Sequence, residues 1–167
     1  AKHHLPNYSV FDEYRVFVTG EELLTFEFGG LRFATVICED IWQTGGPVAQ
    51  IASHQVDLTL VLNGSPFEQS KTDTRLELVQ KLAASQSSAV AYVNLVGGQD
   101  DLVFDGNSFM VDAKGNQIAR ARQFEDDLLI VGIESKNSIK ALSEPTPAQG
   151  ELGQVWNALV LGLRDYI

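Results

Sequence analysis

The sequence is poor in sulfur: 167 residues include one cysteine, Cys38, and one methionine, Met110. A single thiol excludes an intrachain disulfide and makes a reducing compartment such as the cytoplasm the simpler setting. Cations are also scarce. Twelve Lys and Arg against 22 Asp and Glu leave a formal charge of −10, which argues against a nucleic-acid partner or an anionic membrane surface. No apolar run approaches the ~20 residues of a membrane span, and no signal-peptide pattern opens the chain. An initiator methionine is absent as well, since the first residue is Ala1, so the sequence reads as a piece of something longer.

What remains is ordinary globular composition, 44% hydrophobic and 20% charged. About 150 residues suffice for one domain that buries roughly 70% of its unfolded surface. Strand-like runs are expected at Arg15–Val18, Leu24–Phe28, Arg32–Ile37, Leu58–Leu62, Val90–Val93, Ser108–Val111 and Leu128–Ile133, because most are β-branched or aromatic and end at turn residues. Phe26–Phe33 reads as a hairpin around Gly29-Gly30, and Asp112–Asn116 as a second turn. Helices are expected at Pro47–His54 and at Thr74–Gln86, where Leu76, Val79, Leu82 and Ala83 share one side. Strands alternating with helices imply a mixed α/β layered domain. Composition changes at Lys140: residues 143–151 have the character of a linker, and 152–167 carry apolar residues at helical spacing. Such a terminal helix has little of its own domain to pack on, so it is expected to open a second unit after a first one at 1–142.

The stretch Ala34-Thr-Val-Ile-Cys-Glu-Asp-Ile-Trp42 ends a β-branched run on Cys38 and adds two carboxylates. A free cysteine is most often core filler. Strand ends, however, are where α/β enzymes present reactive side chains, and a thiol becomes a nucleophile only where its proton can be drawn off. Glu39 and Asp40 would oppose that, so a cation must come from elsewhere. Lys2 in Lys2-His-His-Leu-Pro-Asn-Tyr8 is a candidate, although spacing alone does not link it to Cys38. Asn63-Gly-Ser-Pro-Phe67 is a polar loop after a strand, equally readable as a plain turn. Asn94–Gly106 carries three acids among three glycines, without calcium-loop spacing, histidine or a Gly-Lys-Ser/Thr ending, so neither a metal nor a phosphate is expected there.

In order, KHHLPNYSVFDEYRVF, ICEDIW, NGSPFEQSK and YVNLVGGQDDLVFDGNS resemble the glutaminase part of the glutamine-dependent NAD⁺ synthetases, within the nitrilase superfamily. The resemblance covers nearly all of Lys2–Ile133, and the terminal segment looks like the helix that opens their synthetase domain. It implies a four-layer α-β-β-α sandwich, N-terminally incomplete here. It also implies Cys38 as nucleophile, Lys2 as catalytic lysine, Tyr8, Ser65 and Lys71 as residues holding the substrate glutamine, and Glu13 and Glu39 in supporting places. The implied chemistry is hydrolysis of the glutamine side-chain amide through a Cys38 thioester. The ammonia released would amidate deamido-NAD⁺ at a second site that uses ATP and Mg²⁺. No cofactor is expected in this segment, and the superfamily's habits imply a homo-oligomer.

In such enzymes the general-base glutamate lies upstream of the KHHLPNY motif, and no carboxylate of this sequence matches it. Little or no glutaminase activity is therefore expected of these residues alone. Two other readings stand beside this one: a free-standing nitrilase-type amidase or carbamoylase, and a non-catalytic nitrilase-like binding or scaffold module.

Overall fold

A computed structural model describes residues 2–135, 138–142 and 145–167. Its centre is a six-stranded sheet in the order β1-β2-β3-β4-β7-β8, built from β1 (Leu24–Phe28), β2 (Leu31–Ile37), β3 (Leu58–Asn63), β4 (Ala89–Asn94), β7 (Phe109–Val111) and β8 (Gln117–Arg120). The β1–β2 hairpin turns at Gly29 and Gly30, with φ of 60° and 78°. A two-residue turn that matches strand twist needs positive φ at both positions, which glycine supplies without a Cβ clash. Strands β2, β3 and β4 run parallel, as their near-continuous apolar character predicts. Their connections are a 3-10 helix over Pro47–His54 and the α-helix α1 (Lys71–Gln86).

Side chains alternate across the sheet. Val36, Val61, Val90, Tyr92 and Val111 face one way and pack with Ile51, Val79, Leu82 and Ala83. Each such side chain taken out of water contributes about 1.5–3 kcal/mol. The other face, with Leu58, Ala89, Met110 and Ala119, is partly covered by Leu129, Val131, Ile133 and Ile139. The last two covering strands, β9 (Val131–Ser135) and β10 (Ser138–Ala141), pair with each other. The chain thus carries a sheet with helices on one face and an antiparallel pair on the other, a mixed α/β arrangement.

Parallel register decides what the fold presents. Ile37 lies opposite Leu62, and Asn63 opposite Asn94. The carboxyl ends of β2, β3 and β4 therefore finish together, and the residues just beyond them share one crevice.

Four expectations need correction. Arg15–Val18 is not a strand: a 3-10 turn spans Glu13–Arg15, and Val16, Phe17 and Val18 follow it exposed and without a ladder partner. The run at 128–133 becomes strand only from Val131. The Gly-rich and polar segments β5 (Val96–Gln99), β6 (Leu102–Asp105), β8 and β10 are strands that composition concealed. The terminal helix α2 (Glu151–Tyr166) does find a bed within the chain. It lies on the β5–β6 hairpin, with Ala158 and Leu161 buried against Phe124 and beside Phe67, Val96 and Val103. The β5 backbone passes close enough that a Cβ on Gly98 would meet the Cα of Gly162 at 3.0 Å. Gly98 N–H also donates to Asp165 Oδ2 at 2.8 Å. Of the expected linker, Ser143 and Glu144 lie outside the described residues.

Candidate active site

Cys38 sits at the first position beyond β2 and opens a 3-10 turn over Cys38–Ile41. Its φ is +44°, a left-handed conformation that costs a β-carbon-bearing residue about 1–3 kcal/mol. The turn swings the side chain out of the sheet, the same device that raises nucleophiles above a strand end elsewhere. The sulfur is half-buried.

The Lys2 segment reaches this turn through Asp40. That carboxylate is fully buried, and its Oδ1 accepts the backbone N–H groups of His3 at 2.9 Å and His4 at 2.8 Å. Asp40 Oδ2 accepts from Ile37 N–H at 3.3 Å. The acid beside the cysteine therefore clamps the N-terminal segment to the strand end. Lys2 Nζ contacts the Glu13 carboxylate at 2.6 and 2.5 Å, with both side chains mostly shielded, and shares with Cys38 a cavity of about 410 Å³. Leu5, Phe11, Phe17 and Val18 make its walls apolar.

A second cavity, of about 520 Å³, opens on the other side of the sulfur. Tyr8, Glu39, Ser65 and Lys71 line it together with Cys38, Trp42 and Phe67. The six other expected residues thus line the two cavities that share the Cys38 thiol. Three of them are engaged in ways that sequence did not suggest. The Tyr8 hydroxyl donates to Glu39 Oε2 at 2.9 Å, and Gln43 Nε2 donates to Oε1 at 2.9 Å. Lys71 Nζ pairs with Glu68 at 2.6 Å, so its ammonium stands at the rim already partnered.

Opposing influences set the thiol's proton affinity. Burial is the largest and raises the Cys38 pKa; the Lys2 ammonium lowers it, the Glu39 carboxylate raises it, the Gly64 backbone N–H lowers it, and Glu13 raises it. The balance lies above the ordinary thiol value of 9.0. Shielding of the Tyr8 hydroxyl and its bond to Glu39 push that phenol up to about 12. It stays protonated, and a donor, at any physiological pH.

Behind the second cavity lies a polar network that sequence reading missed. The Arg75 guanidinium and the Asp105 carboxylate are fully buried and meet at 2.7 Å. Arg75 Nη2 also donates to the Ser65 carbonyl at 2.8 Å, the Ser65 hydroxyl at 3.1 Å and the Pro66 carbonyl at 2.8 Å. Asn94 receives the Ser65 N–H at 2.9 Å and donates to the Ser65 carbonyl at 3.2 Å. A signal was present. Arg75 falls in register with Val79, Leu82 and Ala83 on the apolar side of α1, where an unpaired arginine would be prohibitive.

The profile of the carbon-nitrogen hydrolase family matches residues 1–141. The chain belongs to that family. It is 39% identical, over 99% of its length, to the glutamine-dependent NAD⁺ synthetase of Acinetobacter baylyi and covers 30% of that protein. The corresponding protein of Aquifex aeolicus is 46% identical and 35% covered. The chain therefore spans about a third of these relatives. The structure of a glutamine-dependent NAD⁺ synthetase from Acinetobacter baumannii superposes with a TM-score of 0.92 at 41% identity, covering 99% of this chain and 31% of that one. An amidase from Nesterenkonia sp. AN1, with acrylamide added to its active-site cysteine, superposes at 0.61 and 25% identity over 72% of this chain and 46% of its own. The chain has the carbon-nitrogen hydrolase fold and corresponds to part of the synthetase chains.

Proposed function

We propose that this chain is the glutaminase portion of a glutamine-dependent NAD⁺ synthetase, residues 1–142 forming that portion and α2 leading from it. One observation carries the reading: a thiol in a left-handed turn at a strand end, with the Lys2 ammonium and the Gly64 N–H bearing on it, opens to a cavity rimmed by Tyr8, Ser65 and Lys71. The substrate is L-glutamine. Its α-carboxylate is drawn to Lys71, which exchanges Glu68 for it, and its side-chain amide comes to Cys38.

The Cys38 sulfur bonds to the amide carbon as its proton passes to the amide nitrogen, and the amide oxygen takes the negative charge. Lys2 lowers the energy of both the thiolate and that charge, and losing one such donor typically costs ~10²–10³-fold in rate. Collapse expels that nitrogen as ammonia and leaves a thioester. Water then attacks the thioester, releasing glutamate and restoring the thiol. The ammonia would serve amidation of deamido-NAD⁺ in the whole enzyme, where ATP and Mg²⁺ are used. Among the described residues no group of three or more His, Cys, Asp or Glu gathers to hold a metal, and the steps above use side chains and backbone alone. A cytoplasmic setting agrees with the lone reduced cysteine.

Turnover by these 167 residues alone should be slow. The thiol is protonated at neutral pH, Glu13 is held by Lys2, and Glu39 is held by Tyr8 and Gln43. Incubation with a glutamine-mimicking electrophile, followed by mass spectrometry, tests the reading. Labelling confined to Cys38 and blocked by glutamine is expected. Labelling that glutamine does not slow would overturn it and favour a scaffold role.

A further inference from the structure

We propose that Arg75 and Asp105 are a positioning pair for the nucleophile, a role that rests on Cys38 being the reacting group. Neither touches the sulfur. The charges that bear on the thiol are Lys2, Glu39 and Glu13, so the pair acts through the loop Gly64-Ser65-Pro66.

The chain of contacts is short. Gly64 lines one cavity together with Cys38, and its backbone N–H favours the thiol's anion. The next two residues are held from behind by one guanidinium nitrogen, which takes both their carbonyls and the Ser65 hydroxyl. A planar guanidinium can do this because its donors are set in a rigid fork; a lysine ammonium cannot reach the same set. Asp105 fixes the fork by binding the other terminal nitrogen at 2.7 Å, and it neutralises the charge at full burial. It stands at the end of β6, on the hairpin that carries α2. Asn94 steadies Ser65 from the neighbouring strand. Remove the fork, and Gly64 loses the restraint that points its N–H at the sulfur.

This predicts a higher thiol pKa, not only a less stable protein. A hydrogen bond to a charged group is commonly worth about one decade or more in an equilibrium. Cys38 alkylation by iodoacetamide should therefore slow roughly tenfold at pH 8 in the double variant Arg75→Met/Asp105→Leu, with its pH profile displaced upward. That variant removes both buried charges together, so no lone charge forces unfolding. Arg75→Lys, which keeps the charge facing Asp105 but not the fork, should alkylate at an intermediate rate. A double variant with native circular dichroism but an unshifted alkylation profile would overturn the proposal. So would Arg75→Lys behaving as wild type. If instead glutamine fails to protect Cys38 in the wild-type chain, the glutaminase reading falls, while the displaced alkylation profile remains a separate result.

Discussion

Two neighbouring regions of this molecule are built on opposite principles. At the carboxyl ends of β2, β3 and β4, polar groups are buried and interlocked, and the backbone is held in an unfavourable conformation at Cys38. Where α2 lies on the β5–β6 hairpin, the contact is glycine against glycine, two buried apolar side chains and a single hydrogen bond at the rim. The outer side of the same helix leaves Leu152, Trp156, Leu159 and Leu163 exposed. The first region spends stability to hold a few atoms in place, as reacting sites do. The second gains stability from close backbone approach and asks nothing of any one polar group.

Substitutions should separate the two regions sharply. Cys38→Ser should abolish the glutamine-blocked labelling by the electrophile while leaving the melting temperature nearly unchanged, because the nucleophile contributes chemistry that no neighbour replaces. Arg75→Met alone should destabilise by about 3–5 kcal/mol in urea titration, since it strands the buried Asp105 charge; a loss below about 1 kcal/mol would mean the pair is solvated. Gly98→Ala should cost about 1–3 kcal/mol by pushing α2 off its bed, yet leave the pH profile of Cys38 alkylation in place. Lys2→Met should slow alkylation at pH 8 roughly tenfold, because the largest influence lowering the thiol pKa disappears. The sign is upward, so the rate recovers at higher pH. On the outer face of α2, Leu159→Lys should change stability by no more than about 0.5 kcal/mol.

Much of the scaffold was legible because burial imposes a period. The parallel strands were visible as apolar runs, and α1 as a stripe at 76, 79, 82 and 83 that the core does bury or partly bury. The Gly-Gly hairpin was legible because only positive φ closes so short a turn. Legibility failed where neighbours decide the outcome. Val96-Gly-Gly-Gln99 has weak strand preference, yet β6 supplies its ladder. Arg15–Val18 has the right residues and no strand beside it. Asp40 read as an obstacle to the thiolate, because sequence distance hides that its Oδ1 accepts the backbone N–H groups of His3 and His4 while its Oδ2 accepts that of Ile37.

Resemblance to a family implied which side chains could serve the thiol; the order of residues alone determined a mixed α/β chain, its turns and the single thiol at the end of a strand. Those are consequences of local geometry and of apolar spacing, which act within a few residues. Only the folded structure decided that Lys2 and Cys38 share a cavity, that Asp40 ties their segments together and that Arg75 props the loop behind the sulfur. Such contacts join positions far apart in the chain through parallel register, and no short stretch of sequence encodes that register.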